Sequence, residues 1–141
     1  MGFLIDTNVL SELRKGVKAN SGVQNWFENT ASNQLYISVL TLGEIRQGIE
    51  QIKRRDEQGA KALESWLEQI KAESMNLVLP VTQEITDCWG IINVADKMPA
   101  IDGLLAATAL IHDLTLVTRN VRDVERSGAK LLNPFIEESS K

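Results

Sequence analysis

An acid on the wrong stripe of a helix constrains this chain more than any other feature. Met98 to Thr118 reads MPAIDGLLAATALIHDLTLVT, with no proline or glycine after Gly103. Pro99 opens a helix well, because the amide proton it lacks is one that a first turn leaves unpaired. The pattern predicts a helix from about Ala100 to His112. Leu105, Ala106 and Ala109 follow Asp102 by three, four and seven positions, so its carboxylate shares a stripe with small and apolar side chains. After Asp113 the run Leu114-Thr115-Leu116-Val117 is of strand type and ends on Thr118. The result is a helix–strand unit with an acid at the helix start and polar residues at the strand end.

Strand and helix alternate along the rest of the chain. Phe3-Leu4-Ile5 reads as a strand, followed directly by Asp6-Thr7-Asn8 and a helix from Asn8 to Leu13 that Arg14-Lys15-Gly16 closes. A helix from about Ser21 to Thr30 is expected to bury Val23, Trp26 and Phe27. Leu35-Tyr36-Ile37 is the next strand, leading through Ser38 into a helix with Leu42, Ile45, Ile49 and Ile52 on one side. A helix from about Gln58 to Ala72 gathers Leu63, Trp66, Leu67 and Ile70. Leu77 to Val81 forms a third strand, and Thr82 caps a helix to about Ala95. Ala129 to Leu132 is a last short strand, and residues 136–141 are expected to fray. This order predicts one α/β domain over residues 1–141, with helices on both faces of a parallel sheet.

Composition narrows the function. A formal net charge of -4 and an isoelectric point near 5.0 argue against a broad electrostatic grip on nucleic acid, so any such contact is local or metal-bridged. Cys88 is the single cysteine, which excludes an internal disulfide or a thiolate metal cluster and fits a reducing cytoplasm. No apolar run approaches the roughly 18 residues of a membrane span. These features predict a soluble cytoplasmic protein without a membrane partner.

Four acids fall at element boundaries: Asp6, Glu44, Asp102 and Asp123. Asp6 follows a strand, where open parallel sheets bind ligands, yet taken alone it more often means the cap of the next helix. Glu44 completes a capping box with Thr41 if its helix starts there, and is interior and free if the helix starts at Ser38. Should all four meet at one sheet edge, like charge raises their proton affinity, and a divalent cation resolves the conflict. With oxygen donors only, Mg²⁺ or Mn²⁺ is preferred over Zn²⁺. Such an ion orients a water and neutralises a phosphate that acids alone repel.

Leu4-Ile5-Asp6-Thr7-Asn8, Ser38-Val39-Leu40-Thr41-Leu42-Gly43-Glu44-Ile45, Pro99 to Ala109, Leu116-Val117-Thr118-Arg119-Asn120 and Asn133-Pro134-Phe135 form an ordered set. In that order the chain resembles PIN-domain ribonucleases, above all the toxins of the VapBC (FitB-like) toxin–antitoxin type. The resemblance implies a PIN-like three-layer α/β/α sandwich around a central, mostly parallel sheet of four to five strands. It implies a Mg²⁺-dependent endoribonuclease, with Mn²⁺ able to substitute, that cuts RNA to a 5′ phosphate and a 3′ hydroxyl. It also implies a homodimer held inactive by a cognate VapB/FitA-like antitoxin. By the same resemblance Asp6 and Asp102 hold the metal, while Glu44 and Asp123 complete the catalytic acids. Asn120 assists or replaces Asp123, and Thr7 and Thr118 hold carboxylates or waters. Val124 departs from the pattern, which has Phe there.

Arg14, Lys15, Arg46 and Arg119 remain as local phosphate contacts, and His112 suits the dipole of a helix end. Two other classes compete. Aspartyl-phosphate phosphatases also open on a strand and an Asp, but they need a second acid where Asn8 stands. A catalytically inactive partner- or RNA-binding module has no reason to keep four like charges together.

Overall fold

A computed structural model describes residues 2–75 and 77–137. Among these residues five strands form one sheet in the order β3-β2-β1-β4-β5, and every neighbouring pair is parallel. The strands are β1 (Gly2–Ile5), β2 (Leu35–Ser38), β3 (Val78–Leu79), β4 (Leu114–Val117) and β5 (Lys130–Leu132). Between them run α1 (Thr7–Leu13), α2 (Ser21–Glu28), α3 (Val39–Ile52), α4 (Glu57–Glu73), α5 (Gln83–Ala95), α6 (Ala100–His112) and α7 (Val121–Val124).

Two apolar clusters make this a three-layer sandwich. Adjacent side chains of a strand point to opposite faces, so Leu4 and Ile5 enter different clusters. Ile5, Ile37 and Val117 pack with Val9, Val23, Ile45, Ile49, Leu67 and Ile70 from α1 to α4. Leu4, Leu114 and Leu116 pack with Leu105, Ala106 and Ala109 of α6 and with Val124 of α7. Val124 is 1% exposed, so it fills the core role expected of Phe at that position.

Strand order explains the edge that matters. The chain leaves β1 towards β2 and β3, then returns to β1's other side as β4, so the order reverses between β1 and β4. Ligands of open α/β sheets bind outside the strand ends at such a point. Asp6 and Thr118 are the first residues beyond β1 and β4. Their backbone amides continue the ladder, Asp6 N–H to the Val117 carbonyl and Thr118 N–H to that of Leu132, both at 2.9 Å. Asp113 ends α6 in the left-handed region at φ 53°, which Asp tolerates better than most residues, and turns the chain at once into β4. Because α6 runs back against the strands, its first turn lies at their carboxyl edge.

Several local expectations change. Phe27 is 41% exposed, although its neighbour Trp26 packs edge-on against Phe3 with ring centroids 5.6 Å apart. The third strand shortens to Val78–Leu79, because Pro80 has no amide proton for a sheet ladder. Val121–Val124 forms a helical turn where only polar loop was expected. Ile136, expected to fray, exchanges two hydrogen bonds with the Asn20 side chain at 2.8 and 3.1 Å. Residues 138–141, the rest of that expected tail, lie outside the described residues. No helix among the described residues is long and apolar enough to cross a membrane.

Candidate functional site

Asp6 is 5% exposed and its carboxylate is held on both oxygens. Oδ1 accepts the backbone N–H of Thr7 at 2.7 Å, and Oδ2 accepts the Thr118 hydroxyl at 2.7 Å and the Asn8 amide at 3.2 Å. The first bond is a helix cap, so both roles open to Asp6 are filled by one carboxylate: it caps α1 and faces the strand edge. With about four lone-pair directions on a carboxylate, three donors leave one free.

Glu44 joins this group through Thr7, whose hydroxyl donates to Glu44 Oε1 at 2.5 Å. That bond exists because α3 begins at Val39, capped by the Ser38 hydroxyl on Leu40 N–H at 3.0 Å. Glu44 is therefore in the second turn, and the alternative capping box with Thr41 does not form. Thr41 is buried, with its hydroxyl unpaired.

Asp102 contrasts with both. It lies in the first turn of α6, after Pro99 at the cap, and accepts no hydrogen bond among the described residues. Burial first, and then the charges of Asp6, Asp123 and Glu44, push its carboxyl up from the ordinary 3.8 to about 6. Asp6, Asp123 and Glu44 thus all lie within electrostatic reach of Asp102. Asp123 arrives from α7, whereas Asn120 precedes that turn without a side-chain capping bond and donates its backbone N–H to the Thr118 hydroxyl at 3.0 Å. Gly103 lets α6 seat closely: a Cβ there would stand 3.0 Å from two indole atoms of Trp89.

Among the described residues, no three His, Cys, Asp or Glu side chains converge tightly enough to make a ready metal cage. Mg²⁺ does not need one. It keeps several waters and takes one or two carboxylates, so a hard-oxygen pair fits it. The excess like charge on Asp102, unrelieved by any donor, fits a cation bound there.

The sequence profile of the PIN domain family matches residues 3–127. The chain belongs to the PIN domain family. Ribonuclease VapC1 of Rickettsia felis is 30% identical over 131 residues, spanning 89% of this chain and 90% of its own. Toxin FitB of Neisseria gonorrhoeae is 28% identical over 138 residues, spanning 94% of this chain and 97% of its own. The crystal structure of FitAcB from the same organism superposes with a TM-score of 0.85 at 28% identity, over 94% of this chain and 97% of that one. The five-stranded parallel sheet with helices on both faces is the PIN-like α/β/α fold.

Not every cation of this PIN domain is free. Arg46 forks onto Glu64 at 2.7 and 2.5 Å, and Lys15 pairs with Glu12 at 2.9 Å. Arg14 lies over Trp66 at 5.6 Å from the ring centroid, and Arg119 over Phe135 at 4.5 Å. Sequence reasoning missed Asn8 as a carboxylate holder, although an amide two residues after a strand-end acid is a readable signal. It missed Phe135 as the partner of Arg119, for which sixteen residues of separation leave no local signal.

Proposed function

We propose that this protein is a divalent-metal-dependent endoribonuclease and the toxin of a type II toxin–antitoxin module. It works in the cytoplasm as a homodimer that a VapB/FitA-like antitoxin restrains. One observation carries the reading: at the switch point of the sheet Asp102 is half-buried within reach of the charges of Asp6, Asp123 and Glu44, and among the described residues it accepts no hydrogen bond. The named activities of relatives at about 30% identity support the same class.

Asp6 and Asp102 would hold Mg²⁺, or Mn²⁺ in its place. The bound ion supplies a polarised water and offsets the charge of the phosphate. Asp6, fixed by Thr7, Asn8 and Thr118, keeps its remaining lone pair in one direction. Glu44 is oriented through Oε1, so its Oε2 accepts the proton of the water that attacks phosphorus. Asp123, whose charge reaches Asp102, would orient a second water. That water would give a proton to O3′ as its bond to phosphorus breaks, leaving a 5′ phosphate and a 3′ hydroxyl.

Purified protein freed of antitoxin and incubated with total cellular RNA tests this reading. The expected result is discrete fragments with 5′ phosphates in Mg²⁺ or Mn²⁺ and none in chelator. Intact RNA in both metals, or equal cleavage with chelator, contradicts it.

A further inference from the structure

The acidic centre repels the strand it is proposed to cut, so a neighbouring cation is needed to hold that strand. Unlike Lys15 and Arg46, Arg119 makes no side-chain hydrogen bond or ion pair among the described residues. Its five N–H donors are open, yet the residue is fixed at both ends. Its backbone N–H donates to Asn8 Oδ1 at 3.3 Å, and the amide of that same Asn8 donates to Asp6 Oδ2. Its guanidinium carbon stands 4.5 Å from the centre of the Phe135 ring.

Phe135 is itself anchored. Its N–H donates to Asn133 Oδ1 at 3.1 Å, and the next residue is clasped by Asn20. Gly22 permits this close approach, since a Cβ there would collide with the Pro134 carbonyl oxygen. The Arg119–Phe135 pair lines two open cavities, one of about 480 Å³ that Glu137 also borders, and one of about 270 Å³ bordered by Lys18 and by Glu12, whose charge Lys15 already offsets. A planar guanidinium with free donors matches a phosphate in bidentate fashion, and a ring beneath it limits its motion.

We infer that Arg119, held over Phe135, is a phosphate-binding subsite for the RNA strand, gripping a phosphodiester next to the one at the acidic centre. The inference rests on the ribonuclease reading. Arg119 is the binding group and Phe135 a positioning residue that acts through it.

Steady-state cleavage of a single-stranded RNA substrate, at several salt concentrations, tests the subsite in wild type, Arg119→Ala, Phe135→Leu and Phe135→Tyr. Arg54→Ala, beyond the far end of α3, controls for net charge. Arg119→Ala is expected to raise KM about tenfold with kcat kept, and to lower the log–log salt slope of 1/KM by about 0.7, the value of one single-strand phosphate contact. Phe135→Leu raises KM by less, Phe135→Tyr restores it, and Arg54→Ala matches wild type. A wild-type KM and salt slope in Arg119→Ala overturn the subsite and leave the ribonuclease reading standing. Failure of the wild-type protein to cut any RNA overturns both.

Discussion

The two halves of the acidic site are built in opposite ways. Asp6, at the end of β1, and Glu44, in the second turn of α3, are tied by Thr7, Asn8 and Thr118 into a network of hydrogen bonds. At the start of α6, Asp102 has no donor, and burial first and then the charges of Asp6, Asp123 and Glu44 disfavour its anion. A carboxylate that accepts several hydrogen bonds is stable as an anion, whereas one that faces other acids without a donor is not. In the proposed nuclease the fastened half would supply geometry, and the unfastened half the demand for a cation.

Removing the charge on each side should break this contrast in different directions. Asp102→Asn is expected to lower RNA cleavage by about a thousandfold or more, while raising the melting temperature of the metal-free protein, because a neutral amide escapes the cost of burying a charge and then the repulsion of the other acids. Asp6→Asn should abolish cleavage as well, but it sets an amide among three donors. A metal-free denaturation series should then find it less stable by about 1–3 kcal/mol. A stabilised Asp6→Asn protein would erase the distinction between the halves.

The pH dependence sharpens the comparison further. Since the Asp102 carboxyl titrates near 6 when folded and near the ordinary 3.8 when unfolded, the folded state binds more protons between those values. Stability of the metal-free protein therefore falls as pH rises from about 4 to about 6, and no further from this group above that. Melting curves in chelator should show the advantage of Asp102→Asn over wild type widening across that window. The smallest expected effect is Thr118→Val, which removes one of the two donors to Asp6 Oδ2 and should cost about 1 kcal/mol in chemical denaturation.

Much of this arrangement was legible in the residues, and the remainder fails for physical reasons. Asp102 stood out because an acid on an apolar stripe needs a reason, and Asp6 because it ends a strand. The role of Glu44 was ambiguous, since the choice between a capping box and a helix interior turned on whether Ser38 or Thr41 caps α3. Asp123 lies in a helical turn of four residues, too short for any periodicity to declare it. Phe27 has core spacing but sits on the rim of α2, where spacing alone does not report how far the neighbouring layer extends. The clasp of Asn20 on Ile136 spans 116 residues and leaves no local trace.

Thermal unfolding of the wild-type and Asp102→Asn proteins against increasing Mg²⁺ at pH 7.5 tests the central claim most directly, because a ligand that binds only the folded state raises its melting temperature by mass action. A cation demanded by the unfastened half should raise the wild-type melting temperature progressively and leave that of Asp102→Asn unmoved. An equal rise in both proteins would mean that the cation binds elsewhere and that the four acids are not its site.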